Sequence, residues 1–170
     1  MRGTVPLACL LLCTVTTVPA QEPGWHYSPF PGEGDRATLA CATDSNPDSY
    51  TCLAVRCEDD FTVGLHIHTS RAGGDAGRWS LDVDKESFEI VAEADTTPYG
   101  ARVTGDVSTL IERLRHGFIA YLDPAAGPPV ERNGIPLAGS LYAINQALYY
   151  CVPPVVPEEA RPEEGDQAAR

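Results

Sequence analysis

Residues 64 to 69 read GLHIHT, and His66 and His68 stand one residue apart inside an apolar run. On a strand such a pair shares one face, with its ring-bearing positions about 6.5–7 Å apart. Two imidazoles at that spacing can both reach one zinc or copper ion, but a site needs further ligands. The other histidines, His26 and His116, fall in a Pro/Gly-rich arm and at the end of a helical pattern. The reading taken is that His66 and His68 lie on the solvent face of a half-buried strand, with a metal site as the alternative. The carboxylates Glu58, Asp59 and Asp60, and the pair Asp82 and Asp84, read as a solvated turn and a wet strand face. Calcium would want oxygen ligands around a tight Gly turn, and no such loop occurs there.

Nucleophilic chemistry has no foothold. There is no G-x-S-x-G, and AGGDAG (residues 72–77) sits between two strand patterns rather than before a helix, where a phosphate cradle would need to be. It reads as a hairpin turn. Trp25, Tyr27 and Phe30 in the arm read as staples to the domain, or else as a partner-binding strip. No catalytic residue and no cofactor are expected, and the chain reads as non-enzymatic.

The elements that must carry these residues are mostly strands. ATLAC and TCLAVRC flank Ser45-Asn46-Pro47-Asp48, a run with strong turn chemistry. Val63, Leu65 and Ile67 oppose Gly64, His66 and His68; Trp79, Leu81 and Val83 alternate with Ser80, Asp82 and Asp84; Phe88, Ile90 and Ala92 follow. Tyr99, Ala101 and Val103 form another strand with a shared face. These are antiparallel strands with one face wet. The period then changes: Val107, Leu110, Ile111 and Leu114 mark an amphipathic helix, with Asp106 as its cap and Gly117 as its stop. FIAYLD is a strand. A last helix starts at Ser140, buries Leu141, Ile144, Leu148 and Cys151, packs Tyr149 and Tyr150 on the sheet, and ends at Pro153-Pro154. The fold class is mainly β, an antiparallel sheet or sandwich with two short amphipathic helices, stabilised by disulfides.

Residues 1–20 read as a signal peptide: Arg2, an apolar core, then Val18-Pro19-Ala20. A lipoprotein reading through Cys9 is less consistent, because that cysteine precedes most of the apolar core. The organisation is a leader (1–20), an arm (21–36), one β-rich domain (37–154) and an acidic disordered tail (155–170). No later stretch reads as a transmembrane span. The chain carries −12, and −13 once Arg2 leaves with the leader; such a charge repels nucleic acid and anionic lipid. Of six cysteines, four follow the leader: Cys41, Cys52, Cys57 and Cys151. In an exported chain these read as two disulfides, with three possible connectivities; structural zinc is the alternative. Reflection about the turn at 45–48 sets Cys41 opposite Cys52. Cys57 shares parity with Leu53 and Val55 and so points inward, toward Cys151. The favoured pairs are Cys41–Cys52 and Cys57–Cys151.

The run LRHG (114–117) before a strand, and PLAGSLYAINQAL (136–148) after a polar turn, resemble the invasion-associated locus B family of bacterial periplasmic proteins. Leu114, Gly117, Leu137, Gly139 and Ala147 carry the resemblance, over less than half the chain. The family's Gly-aromatic pair is replaced here by Gly139-Ser140. The resemblance implies an exported β-rich domain and no catalytic residues. The expected function is an exported binding or structural protein of the periplasm or envelope, whose partner is an unknown protein or envelope component. An inhibitor or accessory subunit of an envelope or secreted enzyme, and a metal-binding protein using His66 and His68, are the alternatives. N-terminal sequencing of exported protein is expected to begin at Gln21, or within a residue or two of it. An intact Met1 would remove the basis for export.

Overall fold

The computed structural model describes residues 24–27, 30, 32, 34, 36–131 and 133–151. The leader, the acidic tail, Cys9 and much of the arm lie outside the described residues. The strands are β1 (His26–Tyr27), β2 (Ala37–Cys41), β3 (Thr51–Cys57), β4 (Val63–Thr69), β5 (Gly77–Val83), β6 (Glu86–Ala94), β7 (Ala101–Val103), β8 (Ile119–Pro124) and β9 (Gly134–Pro136). They form one nine-stranded sheet in the order β1-β2-β3-β4-β7-β6-β5-β8-β9, with every pair antiparallel. Beyond the end of β2, Thr43 N–H donates to Gly134 O at 3.0 Å. That bond brings the two sides of the sheet together, and the sheet curls into a nearly closed barrel. Among the described residues no helix is long and apolar enough to cross a membrane.

Strand alternation sends one set of side chains into a single core: Leu53, Val55, Leu65, Ile67, Trp79, Leu81, Ala120, Leu122 and Ile135. Helix α1 (Ser108–His116) adds Leu110, Ile111 and Leu114, and α2 (Ser140–Leu148) adds Ala143, Ile144 and Leu148. Cys41 is bonded to Cys52 and Cys57 to Cys151, the pairs that turn reflection and strand parity favour. The second bridge spans a sequence separation of 94. It ties the end of the last helical turn to β3, and by loop entropy a closure of that length contributes ~4 kcal/mol.

Several local readings are corrected. The 72–77 run is not a hairpin turn: β4 pairs with β3 and β7, and β5 with β6 and β8, so it carries the chain across two strands. Arg71 fixes that crossing, donating to the carbonyls of Gly74, Ala126 and Pro128 while its guanidinium lies 4.9 Å over the Trp79 ring. Asp84 does not face solvent idly; its carboxylate accepts the backbone N–H groups of Phe118 and Ile119. Gly117 does end α1, but with extended backbone at φ −76° rather than a left-handed turn. Its small size is what counts, since a Cβ there would lie 2.7 Å from Val83 Cγ1 and 2.8 Å from Leu137 Cδ1. The buried stripe of α2 is Ser140, Ala143, Ile144, Ala147 and Leu148. Leu141 faces outward, as do Tyr149 and Tyr150 on the 3-10 turn that continues the helix. Gly139, not Ser140, occupies the N-cap, and Ser140 is buried with its Oγ donating to Arg115 O.

Candidate functional site

The outer face of β3 and β4 is not wet. In β3 every residue is buried, including those on the side away from the core. His66 on β4 is 0% exposed, so the reading of the GLHIHT histidines as a solvent face is overturned. Tyr99 lies against His66 and Phe30 against His68. Gly100, at φ +82°, breaks the alternation before β7 and turns Tyr99 to the outer side, while Ala101 and Val103 point into the core. Tyr99 packs with Ala37, Leu39, Ala54 and Phe30 in a second apolar cluster. A Cβ on Gly100 would meet Ile67 O at 2.2 Å, so the backbone must be bare at this crossing.

Inside that cover lies a buried charge cluster. β3 and β4 are joined by a tight turn in which Glu58 N–H donates to Thr62 O, Phe61 N–H donates to Glu58 O, and Asp60 accepts from Thr62. The turn folds Glu58 back over the outer face. There the register sets Arg56 opposite Gly64 and Ala54 opposite His66. Gly64 leaves an empty place on the pleat, and the Glu58 carboxylate fills it: a Cβ on Gly64 would be 1.8 Å from Glu58 Oε1 and 2.8 Å from His66 Nε2. His66 Nε2 donates to Glu58 Oε1 at 2.7 Å. Arg56 donates to Glu58 Oε2 and also reaches Asp59. Arg102, paired with His66 across β4 and β7, brings its Nε to 3.7 Å from Glu58 Oε1. On its other side, His66 Nδ1 lies 3.7 Å from Asp95 Oδ2, in the β6–β7 connection.

The electrostatics follow from these contacts. Burial alone pushes the Glu58 carboxyl up, but the hydrogen bond and charge of His66, then those of Arg56, outweigh it and hold it below the usual glutamate range. Asp95 is likewise held down: burial opposes, and the Thr96 N–H with the charge of His66 prevails. Asp59 is exposed, whereas Glu58 and Arg56 are buried, so the solvated-turn reading of 58–60 holds only past Glu58. His68 has different surroundings. Its ring lies between Tyr50, 4.9 Å away, and the edge of Phe30, 5.8 Å away. Its Nδ1 is buried with no hydrogen-bond partner among the described residues. Burial pushes its pKa below the ordinary value, against the opposing charge of Asp75.

The two histidines therefore do different work. One is hydrogen-bonded inside a buried cluster of Glu58, Arg56 and Asp95, and the other is part of an aromatic cluster. Among the described residues no three His, Cys, Asp or Glu side chains come together to hold a metal ion. A histidine between two carboxylates is also the kind of group that performs acid–base catalysis. Here the ring is buried, and two clefts among the described residues lie elsewhere, lined by residues such as Ser49, Arg71 and Glu131, or Arg78 and Glu89. Reasoning from sequence missed Arg56, Glu58, Asp95 and Arg102 as a group. The available signal was an arginine inside the apolar run LAVRC, opposite a glycine once the strands are paired. Of the arm, Trp25 enters the core, β1 adds an edge strand, and Phe30 packs on Tyr99, so these two aromatics staple the arm to the domain.

Gly64→Ala is expected to destabilise the protein by about 1–3 kcal/mol, the range for overpacking, although alanine normally suits a strand better than glycine. Chemical denaturation checks this; an unchanged or raised midpoint would contradict the account. The pH dependence has a definite sign. Glu58 has a lowered pKa, so its contribution is complete above its ordinary value of 4.5 and is lost as pH falls through the folded value. His68 is also lowered, so below its ordinary 6.5 the unfolded chain binds the extra proton first and stability again falls with pH. Unfolding free energy should decline from pH 7 to pH 3. His68→Gln should flatten the upper part of the decline and Glu58→Gln the lower part, as measured by urea titrations at each pH.

No family model matches the chain, and no curated protein matches it. Among solved structures, it is similar to the crystal structure of invasion associated protein B from Bartonella henselae, at 20% identity and a TM-score of 0.34, over 67% of this chain and 91% of that one. That protein bears the name of the family that the spacing around LRHG and PLAGSLYAINQAL resembles.

Proposed function

We propose that this chain is an exported, non-enzymatic binding protein of the bacterial envelope. The observation that carries the reading is the sealing of its acid–base group. His66 is wholly buried, with Glu58 against one ring nitrogen and Asp95 facing the other. A catalytic histidine must reach a substrate proton directly or through one water, and this one faces only the groups that hold the sheet together. The cluster is a fastener. Two disulfides support a life outside the reducing cytoplasm, and the leader-like pattern at residues 1–20 agrees with that location. What is left for function is the surface, presented by a sheet that the cluster and the bridges keep rigid.

Incubation of mature protein with envelope extract, followed by analysis of retained proteins and of altered small molecules, tests the reading. Wild type is expected to retain a partner and to alter no small molecule. His66→Gln should lower the melting temperature yet retain the same partner at temperatures where it is folded. A turnover present in wild type and lost in folded His66→Gln would overturn the proposal.

A further inference from the structure

A surface helix in a water-soluble domain normally turns charged or polar side chains outward. α2 and the turn after it do not. From Ser140 to Cys151 the chain has no Asp, Glu, Lys or Arg, in a protein whose net charge is −12. Its outward positions are Leu141, Tyr142, Asn145 and Tyr149, with Tyr142 66% and Tyr149 72% exposed. Tyr149 and Tyr150 stand edge to face at 5.8 Å. Phe118, 83% exposed, borders the start of α2, because Leu137 N–H donates to Phe118 O. Aromatic enrichment with depletion of charge is the composition of the buried centre of a protein–protein contact.

The charge of the chain indicates the partner. The basic last turn of α1 is locally neutralised: Arg113 pairs with Glu86 at 3.0 Å, and Arg115 with Glu112. Immediately beyond Cys151 the sequence carries five acidic residues, Glu158, Glu159, Glu163, Glu164 and Asp166, against Arg161 and Arg170. A second copy of the chain would bring the same net negative charge, and an anionic membrane would also be repelled. We infer that the outer face of α2, centred on Tyr142 and Tyr149, docks a basic protein that offers an apolar groove rimmed by Lys and Arg. The chain's net charge of −12, to which Glu158, Glu159, Glu163 and Glu164 contribute, attracts such a rim. This rests on the reading of the chain as a binding protein and adds the surface and the chemistry of what it binds.

The test is site-specific photo-crosslinking in the full mature chain. A photoreactive side chain is placed at 142, at 149 and, as a control, at the exposed strand position 93, and the protein is irradiated in native envelope extract. Adducts from 142 and 149, but not 93, to a protein of basic isoelectric point are expected. Binding of that purified protein should weaken at least tenfold in Tyr142→Ala/Tyr149→Ala. In Glu158→Gln/Glu159→Gln/Glu163→Gln/Glu164→Gln its dependence on salt should become shallower. Adducts at 142 to a second copy, to lipid or to an acidic protein would overturn the inference, as would a partner whose affinity ignores both sets of substitutions. Adducts confined to position 93 would overturn this surface while leaving the binding reading intact. A chain that crosslinks nowhere and turns over a small molecule would overturn both.

Discussion

The Glu58 carboxylate, buried between Arg56 and His66, is the interaction on which the rest of this structure depends. A charge removed from water in this way is tolerable only when its partners are held in place. Each partner comes from a different piece of chain: Arg56 from β3, His66 from β4, Arg102 from β7. The vacancy that admits the carboxylate is Gly64. Satisfying this one group therefore sets the tight turn at 58–62, the register of β3 on β4, and the position of β7 beside β4. Asp95, facing the far side of the His66 ring, brings the β6–β7 connection to the same place.

This arrangement gives the sheet two insides. The barrel core is apolar and takes both helices. The outer face of β2, β3 and β4 has its own smaller cluster, built from Leu39, Ala54, Tyr99 and Phe30, with the charge cluster beside it. The first half of the sheet is thus covered on both sides, and the disulfides and the buried Arg56–Glu58 pair lie there. β6, by contrast, exposes alternate residues along most of its length. α2 lies against the first half, touching β1, β2 and β3. The Cys57–Cys151 bridge pins its far end to the same strand that carries Arg56. Its outward tyrosines thus stand on an element held to the first strands by packing at one end and by a disulfide at the other.

Much of the fold was legible in the sequence. Inward parity on β3, β4 and β5, the 3.6-residue period of α1, and both cysteine pairs follow from spacing alone. What spacing could not convey was burial of the second face. Period-2 alternation shows which residues share a side, but not whether a distant segment covers it. Tyr99 and Phe30 come from far along the chain, and only the left-handed glycine at 100 turns Tyr99 outward. His66 and His68 looked wet for that reason. The α2 stripe was misread because apolar spacing favoured the large Leu141, whereas the buried face is built largely from small residues. Ser140, Ala143 and Ala147 take the buried side with Ile144 and Leu148, and Leu141 faces outward.

The central claim is that Glu58 and His66 act as one unit rather than as two separately tolerated buried groups. A double-mutant cycle with Glu58→Gln, His66→Gln and the double variant, followed by urea unfolding at neutral pH, measures this coupling directly. Residues in one hydrogen-bond network couple by about 0.5–3 kcal/mol. The account predicts a value at the upper end of that range, with the double variant losing clearly less stability than the sum of the single losses. Additive losses, with a coupling indistinguishable from zero, would contradict it.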